Sequence, residues 1–264
     1  MGVRDLADDL RVALEIADRA DAISSRYFRS EGLTVENKPD LTPVTQADRE
    51  IERMVRDRLA ESRPEDSVLG EEFGHSGGTS GARWIVDPID GTKRFMRGLP
   101  VFATLLALEV DGRIVVGVAS APAIRQRWWA ARGLGAFNND GQLHVSHVSQ
   151  LQDAHLAHAS LDGWLETRQM QRLENIAENA WSTTGIGDFW CHVLVAEGAL
   201  DAALEPTAML WDLAPLKIIV EEAGGKLTDF QNVDSANGPS ALTSNGTALH
   251  QELYALLQAM PSTR

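Results

Sequence analysis

Between Trp84 and Thr92 an apolar, strand-like run, Trp84-Ile85-Val86, ends abruptly in Asp87-Pro88-Ile89-Asp90-Gly91-Thr92. Two carboxylates separated by a proline turn therefore stand at the tip of a strand, and the rest of the fold must leave room around them. Asp87 and Asp90 are hard oxygen donors. Pro88 fixes the backbone so that the Ile89 carbonyl can point the same way as the acids, a pattern that reads as a divalent-metal site. Gly91 and Thr92 leave backbone N–H groups free to meet an anion.

Composition narrows the classes of function. With 264 residues, 44% of them hydrophobic, and a mean hydropathy of -0.18, the chain can bury a large core as one domain or two closely packed halves. No apolar run approaches the roughly 20 residues that span a bilayer, which argues against a membrane partner. Met1-Gly2-Val3-Arg4-Asp5 lacks a signal-peptide core, and Asp5 and Leu6 fall where a lipidation motif wants Ser or Thr. The single cysteine, Cys191, excludes an internal disulfide and suits a reducing cytoplasm. A net charge of -14 argues against nucleic acid as a partner. An anionic substrate would have to be neutralised by something other than side-chain charge, and metal ions could do so.

Along the chain, residues 5 to 28 place Leu6, Leu10, Leu14, Ile16, Ala17 and Ala20 near one face of a helix. Residues 34 to 44, with Pro39 and Pro43, are expected to be a loop. Thr45 and Asp48 form a capping pair that opens a second helix to about Ser62, where Pro64 forbids continuation. Val68-Leu69 leads into Gly70-Glu71-Glu72, and the Gly-rich run from Gly74 to Gly81 is expected to be a mobile surface loop. From Val101 to Phe137 the pattern is antiparallel strands, with Asp111-Gly112 as a hairpin turn and a further strand around Arg127 to Ala131; Asp140-Gly141 marks another turn. After about residue 150 short strands alternate with helices near 165 to 178, 187 to 198, 212 to 224 and 247 to 259. Residues 1–264 thus read as one catalytic domain, with an N-terminal α+β half (1–148) and a C-terminal α/β half (149–264).

Position singles out four acids. Charged residues are mostly exposed, yet Glu71 follows one strand end, Asp87 and Asp90 follow another, and Asp212 lies between Trp211 and the apolar helix Leu213 to Val220. A helix N-cap competes as an explanation for Asp212, although a carboxylate has two oxygens and can do both. Other conspicuous residues read as structural. His144 with His147, and His155 with His158, have metal-like separations but no helix to place each pair on one face. Trp128 and Trp129 send their rings to opposite faces of a strand, and Cys191 has no basic partner to activate it.

Taken together, these segments resemble a known family. Gly70-Glu71-Glu72, the Trp84 to Thr92 stretch, Trp211-Asp212-Leu213-Ala214 and Glu221-Glu222-Ala223-Gly224-Gly225 are similar to the signatures of the inositol monophosphatase family of magnesium-dependent, lithium-sensitive phosphatases. The likeness also runs through Lys38, Asp40, Thr42-Pro43-Val44-Thr45, Asp48 and Thr243-Ser244-Asn245-Gly246. It implies a five-layered αβαβα sandwich and a phosphomonoesterase using two or three Mg2+ ions. By the same resemblance, Glu71, Asp87 and the Ile89 carbonyl would hold the first metal, and Asp87, Asp90 and Asp212 the second. Thr92 and Asp48 would orient the attacking water, the Gly91 and Thr92 amides would grip the phosphate, and the enzyme would be a homodimer. Phosphomonoester hydrolysis needs a nucleophile at neutral pH, compensated phosphoryl charge and a stabilised leaving alkoxide, and carboxylates are the ligands Mg2+ prefers for that work.

Two positions depart from the pattern. Arg94 precedes Phe95 where the family usually has Asn; it reads as a surface arginine or as extra positive charge near the anion. Pro215 is expected in the first turn of the helix after Asp212, where its missing N–H has no partner anyway.

The substrate's alcohol would be read by Asp188 and Glu205, matching the family's second-half positions, and Asp188 also fits a helix N-cap. The Lys38 to Thr45 loop, Trp128-Trp129-Ala130-Ala131-Arg132-Gly133 and Gly187-Asp188-Phe189 resemble the actinobacterial and plant histidinol-phosphate phosphatases of this family. That implies L-histidinol phosphate, whose ammonium and imidazole would face Asp188 and Glu205. The alternatives are myo-inositol 1-phosphate, whose hydroxyls Glu205 could also bind, and a catalytically silent regulatory member of the family.

Overall fold

The computed structural model describes residues 4–38 and 42–259. Asp40 and Pro39 in the expected loop, and the Met1-Gly2 start, lie outside the described residues. Helix α1 (Leu6–Tyr27) is followed by the short strands β1 (Val35–Asn37) and β2 (Pro43–Thr45), then α2 (Gln46–Ser62). Strands β3 (Ser67–Gly70), β4 (Gly74–Ser76) and β5 (Ala82–Asp90) lead to helix α3 (Thr92–Met96). Next come β6 (Ala103–Val110), β7 (Arg113–Ala121), β8 (Gln126–Ala131), β9 (Gly135–Asn138) and β10 (Gly141–Gln142). The remainder runs β11 (His155–His158), α4 (Leu161–Glu166), α5 (Met170–Ala177), β12 (Ser182–Thr184), α6 (Phe189–Ala196), β13 (Ala202–Glu205), α7 (Leu210–Glu222), β14 (Lys226–Thr228), β15 (Ala241–Ser244) and α8 (Ala248–Gln258).

Two sheets organise these elements. The first has eight strands in the order β10-β9-β8-β7-β6-β5-β3-β4, and the second has five in the order β12-β11-β13-β15-β14. Side chains alternate across β5 and β6. Trp84, Val86, Leu106 and Leu108 pack under α1 and α2, whereas Ile85, Leu105 and Ala107 pack under α6 and α7. Both faces of this sheet are covered, which is why these strands read as nearly continuous apolar runs. Ala157, Cys191, Val195 and Ala203 join α6 to the second sheet. Trp164, Leu173 and Ile176, with Leu249, Leu253 and Leu257, close its far side with α4, α5 and α8. The layers run helix, sheet, helix, sheet, helix, the αβαβα sandwich expected. Among the described residues no helix is long and apolar enough to cross a membrane.

Several local expectations need correction. Residues 34 to 44 are not simply a loop: Val35 pairs with Thr45 and Asn37 with Pro43 in an antiparallel ribbon, and Pro43 is tolerated as the first residue of an edge strand. In the glycine-rich 74 to 81 run, Gly74–Ser76 pairs with Val68–Gly70 as the sheet edge, and the amides of Thr79 and Ser80 both donate to Glu65 O. The helix expected near 165 to 178 is two helices, broken where Arg168 takes a positive φ of 58°. Helix α7 begins at Leu210, so Pro215 lies in its second turn rather than its first. The helix backbone at Pro215 packs closely against β7: a Cβ on Gly117 would lie 2.5 Å from Pro215 O and 2.4 Å from Ile218 Cγ2.

Candidate active site

The tip of β5 is shaped by an irregularity. β5 pairs with β6 up to Asp87 and again at Asp90, with a register shift between them. The shift takes Pro88 and Ile89 out of the ladder, as a bulge does beside many functional sites. Thr104 Oγ1 donates to Pro88 O at 2.8 Å, and the Ile89 N–H donates to Asp87 Oδ1 at 3.0 Å. The Ile89 carbonyl accepts from Thr92 Oγ1 at 2.9 Å. Gly91 turns the chain with φ 81° into α3, whose first amides have no acceptor within the helix.

Other elements converge on this tip. The Glu71 N–H donates to Val86 O at 3.1 Å, prolonging the parallel β3–β5 register and setting Glu71 beside Asp87. Asp90 Oδ2 accepts from the Phe189 N–H at 2.7 Å, which brings in the start of α6. Asp212 is the third residue of α7, not its N-cap, and its Oδ2 accepts from the Met209 N–H at 2.8 Å. Carboxylate oxygens of Asp87, Asp90 and Asp212 all lie within 4.8 Å of one another. Among the described residues this is the one cluster able to hold a metal ion; neither histidine pair forms another. Glu71 stands next to that trio, with Lys38 Nζ 2.6 Å from its Oε1.

The electrostatics suit a cation at this place. Asp87 is 2% exposed and Asp90 8%. Burial, then the neighbouring Glu71, Asp90 and Asp212 charges, push Asp87 well above the usual carboxylate range. Burial, Asp188 and Asp212 do the same to Asp90. Asp212 is pushed up to about 8 by burial and by Glu205, Glu71 and Asp188, against the Met209 amide. Buried acids so crowded repel one another unless a cation sits among them, and an all-oxygen donor set suits a hard divalent ion.

Asp48 and Thr45 close the expected capping box at the start of α2. Asp48 Oδ2 takes both the Thr45 N–H at 2.8 Å and its hydroxyl at 2.5 Å, leaving the buried Oδ1 without a partner among the described residues. Burial raises this carboxyl to about 6, against the Thr45 bonds.

Beside the trio, Asp188 occupies the N-cap position of α6 but makes no capping bond. It pairs instead with Arg94, so Arg94 is not a lone surface arginine. Glu205, at the end of β13, lies 3.1 Å from His192 Nε2, and His192 Nδ1 lies 2.7 Å from Thr243 Oγ1. A neutral ring that donates from Nε2 to the carboxylate leaves Nδ1 to accept from the threonine hydroxyl.

Sequence reasoning assigned no role to three supports of this site. His192 and Thr243 prop Glu205. Lys38 Nζ lies 2.6 Å from both Glu71 and Glu72. Glu52 is wholly buried and accepts from the Glu72 N–H at 2.7 Å and the Phe73 N–H at 3.1 Å, fixing the turn that presents Glu71. The available signal was spacing: Glu52 lies four residues after Asp48, on the same inward face of α2. Gly70 is required above it, since a Cβ there would lie 2.0 Å from Glu52 Oε1.

The model of the inositol monophosphatase family matches residues 5–262. The chain belongs to the inositol monophosphatase family. It is a phosphatase of that family, whose enzymes depend on metal ions and act on small phosphorylated substrates. It is 50% identical over 257 residues to the histidinol-phosphatase of Mycobacterium tuberculosis, covering 96% of this chain and 98% of that one. To the histidinol-phosphatase of Streptomyces coelicolor it is 46% identical over 262 residues, covering 96% and 98%. The crystal structure of the extragenic suppressor protein suhB from Bartonella henselae superposes with a TM-score of 0.87 at 31% identity, covering 95% of this chain and 98% of that one.

Proposed function

We propose that this phosphatase hydrolyses L-histidinol phosphate to L-histidinol and inorganic phosphate with two or three Mg2+ ions. The observation that carries the reading is the opposition of two ends of one site: three crowded carboxylates at the β5 tip, and Asp188 and Glu205 at the other end. Two acids beside an already acidic centre have no ionic role toward a neutral polyol, whereas an ammonium and an imidazole would engage both. The high identity to two histidinol-phosphatases supports the same choice.

In this reading Glu71, Asp87 and the Ile89 carbonyl hold one ion, and Asp87, Asp90 and Asp212 hold another. Bound there, Mg2+ supplies charge compensation for the phosphoryl oxygens and acidifies a coordinated water. The chain's own groups do the positioning. The Gly91 and Thr92 amides grip the phosphate, and Asp48 Oδ1 with Thr92 Oγ1 orients the attacking water. Asp90, Asp188 and Glu205 orient the alcohol. The two halves act as one catalytic unit within a cytoplasmic homodimer.

A substrate panel tests the proposal: phosphate release from histidinol phosphate, inositol 1-phosphate, fructose 1,6-bisphosphate and 3′-phosphoadenosine 5′-phosphate, each with Mg2+. Histidinol phosphate is expected to give the highest kcat/KM. Equal or better turnover of inositol 1-phosphate overturns the substrate assignment, and tight partner binding without any phosphate release overturns catalysis.

A further inference from the structure

Arg94 is built into the site rather than draped over it. Its helix is anchored by Phe95, which is buried against Phe102 with ring centroids 4.8 Å apart. The Arg94 amide returns to Gly91 O at 2.8 Å, tying it to the turn that follows Asp90. From this fixed base a single nitrogen, Nη1, meets the Asp188 carboxylate and donates to Gly187 O at 3.2 Å. The side chains of Arg94 and Asp188 are only 27% and 32% exposed.

What Arg94 holds is a conformation that an aspartate adopts reluctantly. Asp188 sits at φ 57°, ψ −159°, a region nearly reserved for glycine and kept only where the surroundings enforce it. The next residue, Phe189, donates its N–H to Asp90 Oδ2, so α6 is tied to the β5 tip by a bond that does not pass through Arg94. Gly91 gives the carboxylate its place, for a Cβ there would lie 3.2 Å from Asp188 Oδ2. Oδ2 is thereby occupied, while Oδ1 takes no hydrogen bond among the described residues.

We propose that Arg94 is a positioning residue for the alcohol-binding end: by clasping Asp188 Oδ2 and the Gly187 carbonyl it holds Asp188 in its strained turn with Oδ1 turned to the substrate's cationic head. The proposal rests on the histidinol phosphate reading for the identity of that head. It gives the arginine a task that the family's usual asparagine is too short and uncharged to perform. Arg94 acts on recognition of the alcohol, not on the phosphate or the metal ions.

The test compares R94N and R94K with the unchanged enzyme on two esters, histidinol phosphate and p-nitrophenyl phosphate, which lacks a cationic alcohol. R94N is expected to raise KM for histidinol phosphate by about tenfold or more, as loss of a charge-assisted contact does, while kcat stays within about threefold. Its KM for p-nitrophenyl phosphate and its half-saturating Mg2+ should stay within about twofold, and R94K should recover most of the lost affinity. An unchanged KM for histidinol phosphate, or an equal loss on both esters, overturns the proposal. Should R94N fail to fold, R94K carries the same comparison, its smaller loss falling on histidinol phosphate alone. If the unchanged enzyme does not hydrolyse histidinol phosphate, it is the substrate reading that has failed. Inositol 1-phosphate then takes its place: a KM raised about tenfold by R94N on that ester but not on p-nitrophenyl phosphate keeps Arg94 as the residue that positions Asp188 for the alcohol, and an equal effect on both esters overturns it.

Discussion

Asp90 is the residue on which most constraints of the site meet. It ends β5, precedes the Gly91 turn, faces Asp87 and Asp212, and accepts the first amide of α6 at 2.7 Å. An asparagine there is nearly isosteric and its amide oxygen can still accept from Phe189, so Asp90→Asn should fold while losing one negative charge at the cation site. Phosphatase activity with Mg2+ is expected to fall on the order of a thousandfold, the loss of several kcal/mol of charge stabilisation. Thr92→Ala removes a hydroxyl that bonds Ile89 O but no carboxylate. Its kcat should drop while Mg2+ binding, followed by calorimetry, stays close to that of the unchanged protein. A near-normal rate for Asp90→Asn, or equal loss of Mg2+ binding in both variants, would contradict these assignments. The four acids were legible because each follows a strand end or opens a helix in the sequence. The contacts that tune them were not. Arg94 and Gly187 are 93 positions apart, and no local pattern announces such a meeting.

At the scale of elements, α7 carries Asp212 and owes its place to β7. Its apolar residues run almost all round, from Leu213 to Val220, so no amphipathic stripe tells which side meets the sheet. Gly117 decides it by letting the backbone of Pro215 approach. Gly117→Val would push α7 away from the sheet, a small-to-large change typically costing about 1–3 kcal/mol. A lower Tm by several degrees is expected, with a higher half-saturating Mg2+ because Asp212 retreats with its helix; an unchanged Tm would refute this packing account. The same contrast explains what the sequence conveys about elements. The period of α1 and the Thr45–Asp48 box of α2 are local and therefore readable, with bounds close to those observed. The β1–β2 ribbon and the β4 edge are each three residues long, and they exist only because a partner strand lies alongside. In the sequence both segments look like loops.

At the scale of the whole molecule, the fold spends stability to assemble its site. A chain of net charge -14 gathers the buried Asp87 and Asp90 with the half-buried Asp212, where without a cation the protonated forms are favoured. For Asp212 the ordinary value of 3.8 rises to about 8 on folding. A carboxyl raised in the folded state contributes stability that is fully present below its unfolded value and lost as pH rises through its folded value. The metal-free protein is therefore expected to lose thermal stability from about pH 4 to about pH 8 on account of these groups, opposite to the trend of a salt-bridged aspartate. Ionised acids are also what a divalent ion requires, so Mg2+ binding must displace protons and tighten over the same interval. Bound ligand stabilises by an amount set by its concentration relative to Kd. The rise in Tm caused by a fixed Mg2+ concentration should thus be larger at about pH 8.5 than at about pH 6, when thermal melts are run with and without chelator. An Asp90→Asn protein, with fewer protons to displace, should show a smaller difference between the two pH values. An Mg2+ effect on Tm that is independent of pH would mean that the acids are already ionised without metal, and the site would then owe its charge balance to other groups of the chain.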